Sequence, residues 1–277
     1  MLNALNKYIV AILFSTTLVA CGSSDDKISE AKELLIKVEN AIKNKDFSQA
    51  DNLLDSIDNN YHDIVDVRKE VIALRPIVIE GITINEIESH SQQMIDLQQK
   101  IDIIENDFVF IDNEAPLDGY YIAKELVDND FYNKTGIRAT VSEKGDFAMI
   151  SLVKGNLGHS SISFIIDGNT ANSDTIAFDN EINIRSSGTE MITYNMAQTA
   201  RIYDLLKCCE LNENIIVQFN GNKTKQITLS KEIANAIKRT FKYAQLKKDM
   251  IVAELHYAKL NQQLMVARDQ IARTGTE

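Results

Sequence analysis

Apolar residues along this chain follow three successive patterns. Over residues 27–74 they recur at helical spacing: Leu34, Leu35, Ile36 and Val38, then Ala50, Leu53, Leu54 and Ile57. A third run carries Ile64, Val65, Val67, Val71, Ile72 and Leu74, with Pro76 expected to end it. Residues 84–104 predict a further helix, because Ile87, Met94 and Ile101 repeat every seven and Leu97 and Ile104 fill the alternate position. His90 falls on that seam, where a polar residue sets helix register. Residues 229–273 repeat the spacing in Ile237, Phe241, Ala244, Ile251, Leu255, Ala258 and Met265, interrupted by Lys248 and Gln262. Ser230, with Glu232 and Ile233 after it, supplies the helix start. At 1.5 Å per residue these two helices are ~30 Å and ~65 Å long.

Between them the period shortens to two. Residues 108–111, 137–141, 147–153, 162–166, 182–184 and 191–194 predict strands, separated by Glu143-Lys144-Gly145-Asp146, Gly155-Asn156-Leu157-Gly158 and Asp167-Gly168-Asn169 as turns. Residues 196–209 read as a helix with Ile202, Leu205 and Leu206 on one face. Residues 215–219 and 225–229 form a last hairpin around Asn220-Gly221-Asn222. The fold class expected is α+β: an N-terminal helical bundle plus a long C-terminal helix forming a coiled-coil-like stalk, with an inserted antiparallel β domain. The expected divisions are a leader over 1–20, an acidic tether over 21–26, a helical region over 27–106, the β domain over 107–229 with its one helix near 196–209, and the C-terminal helix over 230–273.

The leader reads as an address. Lys7 precedes a thirteen-residue apolar run, residues 8–20, which is too short to span a bilayer, since that takes about 20 residues. The run ends Leu18-Val19-Ala20-Cys21, which resembles the bacterial lipobox. That resemblance implies cleavage before Cys21 and lipidation of Cys21 on its sulfur and amino group. Several acyl chains make such an anchor lasting, at ~0.8 kcal/mol per buried CH2. Ser23-Ser24-Asp25-Asp26 resembles the acidic export signal of Bacteroidetes surface lipoproteins and implies display at the cell surface, with the periplasmic face of the outer membrane as the alternative. The layout of the mature chain is similar to uncharacterised Bacteroidetes lipoproteins. Asp174-Thr175-Ile176 and Asp55-Ser56-Ile57 resemble the Bacteroidetes O-glycosylation triplet, which makes Thr175 and Ser56 candidate acceptors. Asn44-Lys45-Asp46-Phe47-Ser48-Gln49-Ala50, with Leu54 and Ile57, resembles the turn and second helix of one tetratricopeptide unit, though without the Gly before Asp46 and without further units.

Composition narrows the partners. The 277 residues hold 29 Lys+Arg against 40 Asp+Glu, a net charge of −11, which argues against nucleic acid. Forty-four per cent apolar and 25 per cent charged are globular values. Three Cys make no disulfide framework: Cys21 is the anchor that the lipobox resemblance implies, and Cys208 and Cys209 are adjacent, one expected in the core and the other partly exposed. No metal site, cofactor or catalytic residue is expected. The candidates weighed are His159, which could pair with Ser160 or Ser161 but more simply bonds nearby backbone from its loop; Asp128, Asp130 and Asn133, which lack the spacing of a calcium loop; and Tyr120, Tyr121, Phe131 and Tyr132, which could stack on sugars but more simply pack. The expected function is a non-catalytic, lipid-anchored envelope protein presenting a β head on a helical stalk, held at the membrane by its lipid and meeting a protein or glycan partner. The alternatives are an envelope hydrolase sited near His159 or Asp128 and Asp130, and a helical-repeat adaptor for protein partners.

Overall fold

Helical spacing near the N-terminus folds into a hairpin and a longer third helix. The computed structural model describes residues 24–112, 119–209 and 215–274. Cys21 and Ser23 lie outside them. Helix α1 is Ser24–Lys43 and α2 is Phe47–Asn60. The turn between them closes with bonds from Lys45 N–H to Ile42 and from Asp46 N–H to Ala41, and Lys45 takes the left-handed φ of 60° that favours glycine. Asp46 then caps α2, its carboxylate accepting from Gln49 N–H at 3.0 Å. Asp25 and Asp26 sit in the first turn of α1, where acidic residues complement the helix dipole, so the helix begins at Ser24, inside the stretch 21–26 expected as a tether.

Helix α3, Val65–Glu105, runs through Pro76. The expectation that Pro76 ends the helix is therefore corrected, and the two runs expected on either side are one helix. A proline inside a helix loses a backbone bond and costs ~3 kcal/mol. Packing on both sides offsets that cost. Val71 and Val78 are buried with Ala31, Val38, Ala50, Leu54 and Ile57 in one core. Arg75 meets Asp51, Asp55 and Asp58 of α2 at 3.0, 2.8 and 2.6 Å.

Two compact units divide the chain, one of residues 1–85 with 262–277 and one of residues 86–261. The second contains both sheets, all of whose pairings are antiparallel. One is ordered β1-β2-β3-β4-β8-β7 and the other β10-β9-β5-β6. The strands are β1 Phe108–Ile111, β2 Tyr120–Ala123, β3 Gly136–Ser142, β4 Phe147–Lys154, β5 Ser161–Ile166, β6 Asn169–Asn172, β7 Asn183–Ser186, β8 Thr189–Tyr194, β9 Ile215–Asn220 and β10 Thr224–Leu229. Alternate residues turn inward: Phe147, Met149 and Val153 of β4 share one core with Ile162, Phe164 and Ile166 of β5 and Val217 and Phe219 of β9. Helices α4, Ala200–Cys208, and α5, Lys231–Thr274, close it, with Phe241 stacked between Phe147 at 3.9 Å and Tyr203 at 4.7 Å. Ser230 Oγ accepts from Ile233 N–H at 3.3 Å and starts α5 as its sequence suggests. Among the described residues no helix is long and apolar enough to cross a membrane.

Beyond Ala244, α5 buries a heptad other than the one expected. Leu246, Met250, Ala253 and Leu260 are buried, whereas Leu255 is 66% exposed and Met265 72% exposed, and Ala258 faces solvent. The physical reason lies in the interruptions. The expected register carries Lys248 and Gln262, while 246, 250, 253, 257, 260, 264, 267 and 271 are Leu, Met, Ala, Tyr, Leu, Leu, Ala and Ile without a charge. Within residues 86–261, Met250 and Ala253 are buried in one core with Leu97 and Ile101 of α3, and the His90 and His256 rings stack at 5.8 Å.

Candidate functional site

Among the described residues, one constellation with catalytic geometry forms where β4, β8 and the β4–β5 connection meet. Ser151 lies on the inward face of β4 between Met149 and Val153. Glu190 lies on the inward face of β8, opposite Val153 in register. His159 comes from the connection, whose chain reversal needs Gly155 at φ 125° and Gly158 at φ 67°. The β9–β10 turn presses on this loop: a Cβ at Gly221 would lie 2.5 Å from the Gly158 carbonyl, so only glycine fits there.

His159 Nε2 is 3.0 Å from Ser151 Oγ, and His159 Nδ1 is 2.9 Å from Glu190 Oε2. The carboxylate also accepts from Gly158 N–H at 2.7 Å and His159 N–H at 2.8 Å. Burial raises the Glu190 pKa, but these N–H groups and the imidazole outweigh it and hold the carboxyl below its usual range. Burial lowers the His159 pKa, with Arg185 adding to that and Glu190 opposing it, so the ring is neutral. An ionised carboxylate only accepts, so Nδ1 carries the proton and Nε2 accepts from the Ser151 hydroxyl. That is the tautomer a Ser-His-carboxylate triad uses.

Access separates this network from a working site. Ser151 and His159 have no exposed surface and Glu190 is 4% exposed. The nearest cleft, about 350 Å³, is lined by Asn156, Gly158, Arg185, Thr189, Glu190 and Asn222. It reaches the carboxylate end of the network and not the serine. Around the buried groups, His159 lies edge-on to Phe219 at 6.0 Å, and Asn183 Nδ2 donates to the Ile176 carbonyl at 3.0 Å. Burial pushes the Tyr194 hydroxyl up to about 12, with Ser173 and Ser151 beside it opposing. The arrangement ties the loop to two strands of one sheet and sets the imidazole against the other sheet.

This network sets a pH prediction. His159 has a folded pKa below its ordinary 6.5, so its contribution to stability is complete above that value and is lost as pH falls through the depressed folded value. Glu190, depressed below 4.5, loses its contribution at more acid pH still. Urea unfolding of the residue 86–261 unit is expected to weaken in two steps, the first beginning near pH 6.5. His159→Gln should abolish the first step and leave the second. A stability unchanged down to pH 4.5 would contradict the assignment.

The remaining candidates fall elsewhere. The His159 ring bonds the side chains of Ser151, eight residues upstream, and Glu190, which corrects the expectation that it bonds nearby backbone; Ser160 and Ser161 are not its partners. Asp128 accepts from Asp130 N–H at 3.0 Å and pairs with Lys134 at 2.7 Å, and Asp130 accepts from Asn133 Nδ2 at 2.7 Å. Among the described residues no group of three His, Cys, Asp or Glu is placed to hold a metal. The four aromatics form no single platform: Tyr120 is half-buried against the core, Tyr121 packs on Phe110 and Tyr243, and Phe131, buried under the Arg138 guanidinium at 4.3 Å, meets the exposed Tyr132 edge-on at 5.3 Å. Cys208 is exposed and Cys209 half-buried against the core, both as free thiols. Thr175 is exposed in an irregular segment, whereas Ser56 is half-buried within α2. In the other unit an open cleft of about 500 Å³ lies between Ile72, Pro76 and Ile79 of α3 and Gln270 and Thr274 of α5.

Ser151 and Glu190 went unmarked by sequence reasoning. Their signal is a polar residue at an inward position of an alternating strand. Comparison with protein-family models, with curated proteins and with solved structures gives no match.

Proposed function

We propose that this protein is a lipid-anchored component of a bacterial cell envelope, without catalytic activity, that presents its β-rich part on helices for binding or structural roles. The anchor rests on Leu18-Val19-Ala20-Cys21 behind the apolar run of residues 8–20. Lipidation of Cys21 holds it to the outer membrane, and Ser23, Ser24, Asp25 and Asp26 direct it to the cell surface. The non-catalytic assignment rests on one observation: the Ser151–His159–Glu190 network is closed to solvent at its serine and histidine. A nucleophile must reach its substrate within about 3–3.5 Å, and a buried hydroxyl cannot.

A second reading, an envelope hydrolase, is favoured by the same network's distances and tautomer. It requires turnover of an ester or amide that disappears in His159→Ala. Absence of such turnover in wild type supports the first reading. For the anchor, Cys21→Ala is expected to move the protein from the membrane to the soluble fraction of cells. Retention of that variant in membranes would refute lipidation at Cys21.

A further inference from the structure

The cleft beside Glu190 holds a charge pair that the strands align and the side chains do not make. Arg185 of β7 stands directly opposite Glu190 of β8 in register, a position at which opposite charges ordinarily pair. Instead the guanidinium lies over Phe178 at 4.9 Å and donates to the His159 carbonyl at 3.4 Å. Among the described residues no carboxylate forms an ion pair with it, and Glu190 Oε1 accepts Gly158 N–H alone, although a carboxylate oxygen has two acceptor sites. Both residues line the cleft, so each keeps bonding capacity beside it. Two lysines close by are also without carboxylates. Lys154 Nζ donates to Thr189 Oγ1 at 2.8 Å, and Lys225 Nζ donates to Thr135 Oγ1 at 2.7 Å and to the Lys154 carbonyl at 3.3 Å. Elsewhere in the unit Lys134, Arg239 and Lys248 pair with Asp128, Asp107 and Asp146. A chain with 40 acidic residues against 29 basic ones has carboxylates to spare, yet among the described residues none pairs with these three cations.

We infer that this cleft binds an anionic saccharide, with the sugar's carboxylate or phosphate on Arg185 and a ring hydroxyl donating to Glu190 Oε1. Asn156 and Asn222, whose amides both donate and accept, line the same cleft and suit the remaining hydroxyls. The unmatched groups choose this class. An inorganic anion satisfies the guanidinium and leaves Glu190 Oε1 as it was. A neutral sugar does the reverse, and leaves the guanidinium without its charge-assisted bond. A zwitterion brings a further cation to a region where Lys154 and Lys225 already stand without carboxylates. A volume of about 350 Å³ lies at the lower end of the range for small-molecule sites. The inference rests on the proposed binding role of the β-rich part and supplies its ligand class.

Saturation-transfer difference NMR on the detergent-solubilised full chain tests this with galacturonate, glucuronate, N-acetylneuraminate and mannose phosphate. At least one is expected to show saturation transfer, and its neutral parent sugar about five-fold less. Inorganic phosphate or glycine at equal concentration should not displace it. Arg185→Gln should abolish the signal and Asn222→Ala should lower it, both with unchanged far-UV circular dichroism. Lys242→Gln, at an exposed position of α5, should leave it as it was. Silence from all four sugars, an equal signal from the neutral parent, displacement by phosphate or glycine, or a signal that survives both Arg185→Gln and Asn222→Ala would each overturn the proposal. The lipid anchor is read separately, by fractionation of Cys21→Ala, so failure here leaves that part of the proposed function standing.

Discussion

Glu190→Ala is expected to destabilise the unit of residues 86–261 by about 1–3 kcal/mol for each buried donor it leaves without an acceptor. The carboxylate accepts Gly158 N–H, His159 N–H and His159 Nδ1–H, and its removal leaves three donors without their acceptor, with only the Gly158 end bordering the cleft. Glu190→Gln keeps the volume but turns one acceptor oxygen into a donor, so it should recover only part of the loss. Ser151→Ala removes a single donor and lets the Nε2 lone pair go unmatched, with an expected cost of about 1–3 kcal/mol. Urea unfolding read by tyrosine fluorescence, undisturbed because the chain has no Trp, measures all three. A Glu190→Ala cost below 1 kcal/mol would mean that the network braces nothing.

The second large effect belongs to the helical unit. A Cβ at Gly81 would lie 2.4 Å from Cδ1, Cε1 and Cζ of Phe47, so the aromatic ring occupies the space above the α3 backbone. Gly81→Ala gains about 1 kcal/mol of helix propensity and loses more by displacing the ring. Gly81→Leu should cost about 1–3 kcal/mol as an overpacked contact. In a Phe47→Ala background the sign of Gly81→Ala should reverse and the substitution should stabilise. Thermal unfolding followed by circular dichroism across this double-mutant cycle isolates the coupling. Additive effects at the two positions would show that the ring does not sit on Gly81.

The mixed architecture was readable because long helical periods and short alternating runs rarely imitate one another. What failed did so where two local rules competed. The period of α5 was visible, but its face was not: two heptads overlap there, and only the absence of charge from Leu246, Met250, Ala253, Tyr257 and Leu260 distinguishes the buried one. Pro76 is a breaker by local chemistry, yet Val71 and Val78 on one core and Arg75 among three aspartates hold the helix through it. Strand β6 is Asn-Thr-Ala-Asn and owes its conformation to pairing with β5, which no local pattern announces. At the site, the turn glycines marked the His159 loop. Ser151 and Glu190 could be recognised only once strand register placed them inward, a non-local fact.

Labelling of the folded protein with a fluorophosphonate, which transfers its phosphonyl group to an activated serine oxygen with loss of fluoride, tests the central claim most directly. An enclosed Ser151–His159–Glu190 network predicts no adduct at Ser151 by peptide mass spectrometry in the native chain. Stoichiometric modification of Ser151, abolished by His159→Ala, would contradict it and establish the network as an active site.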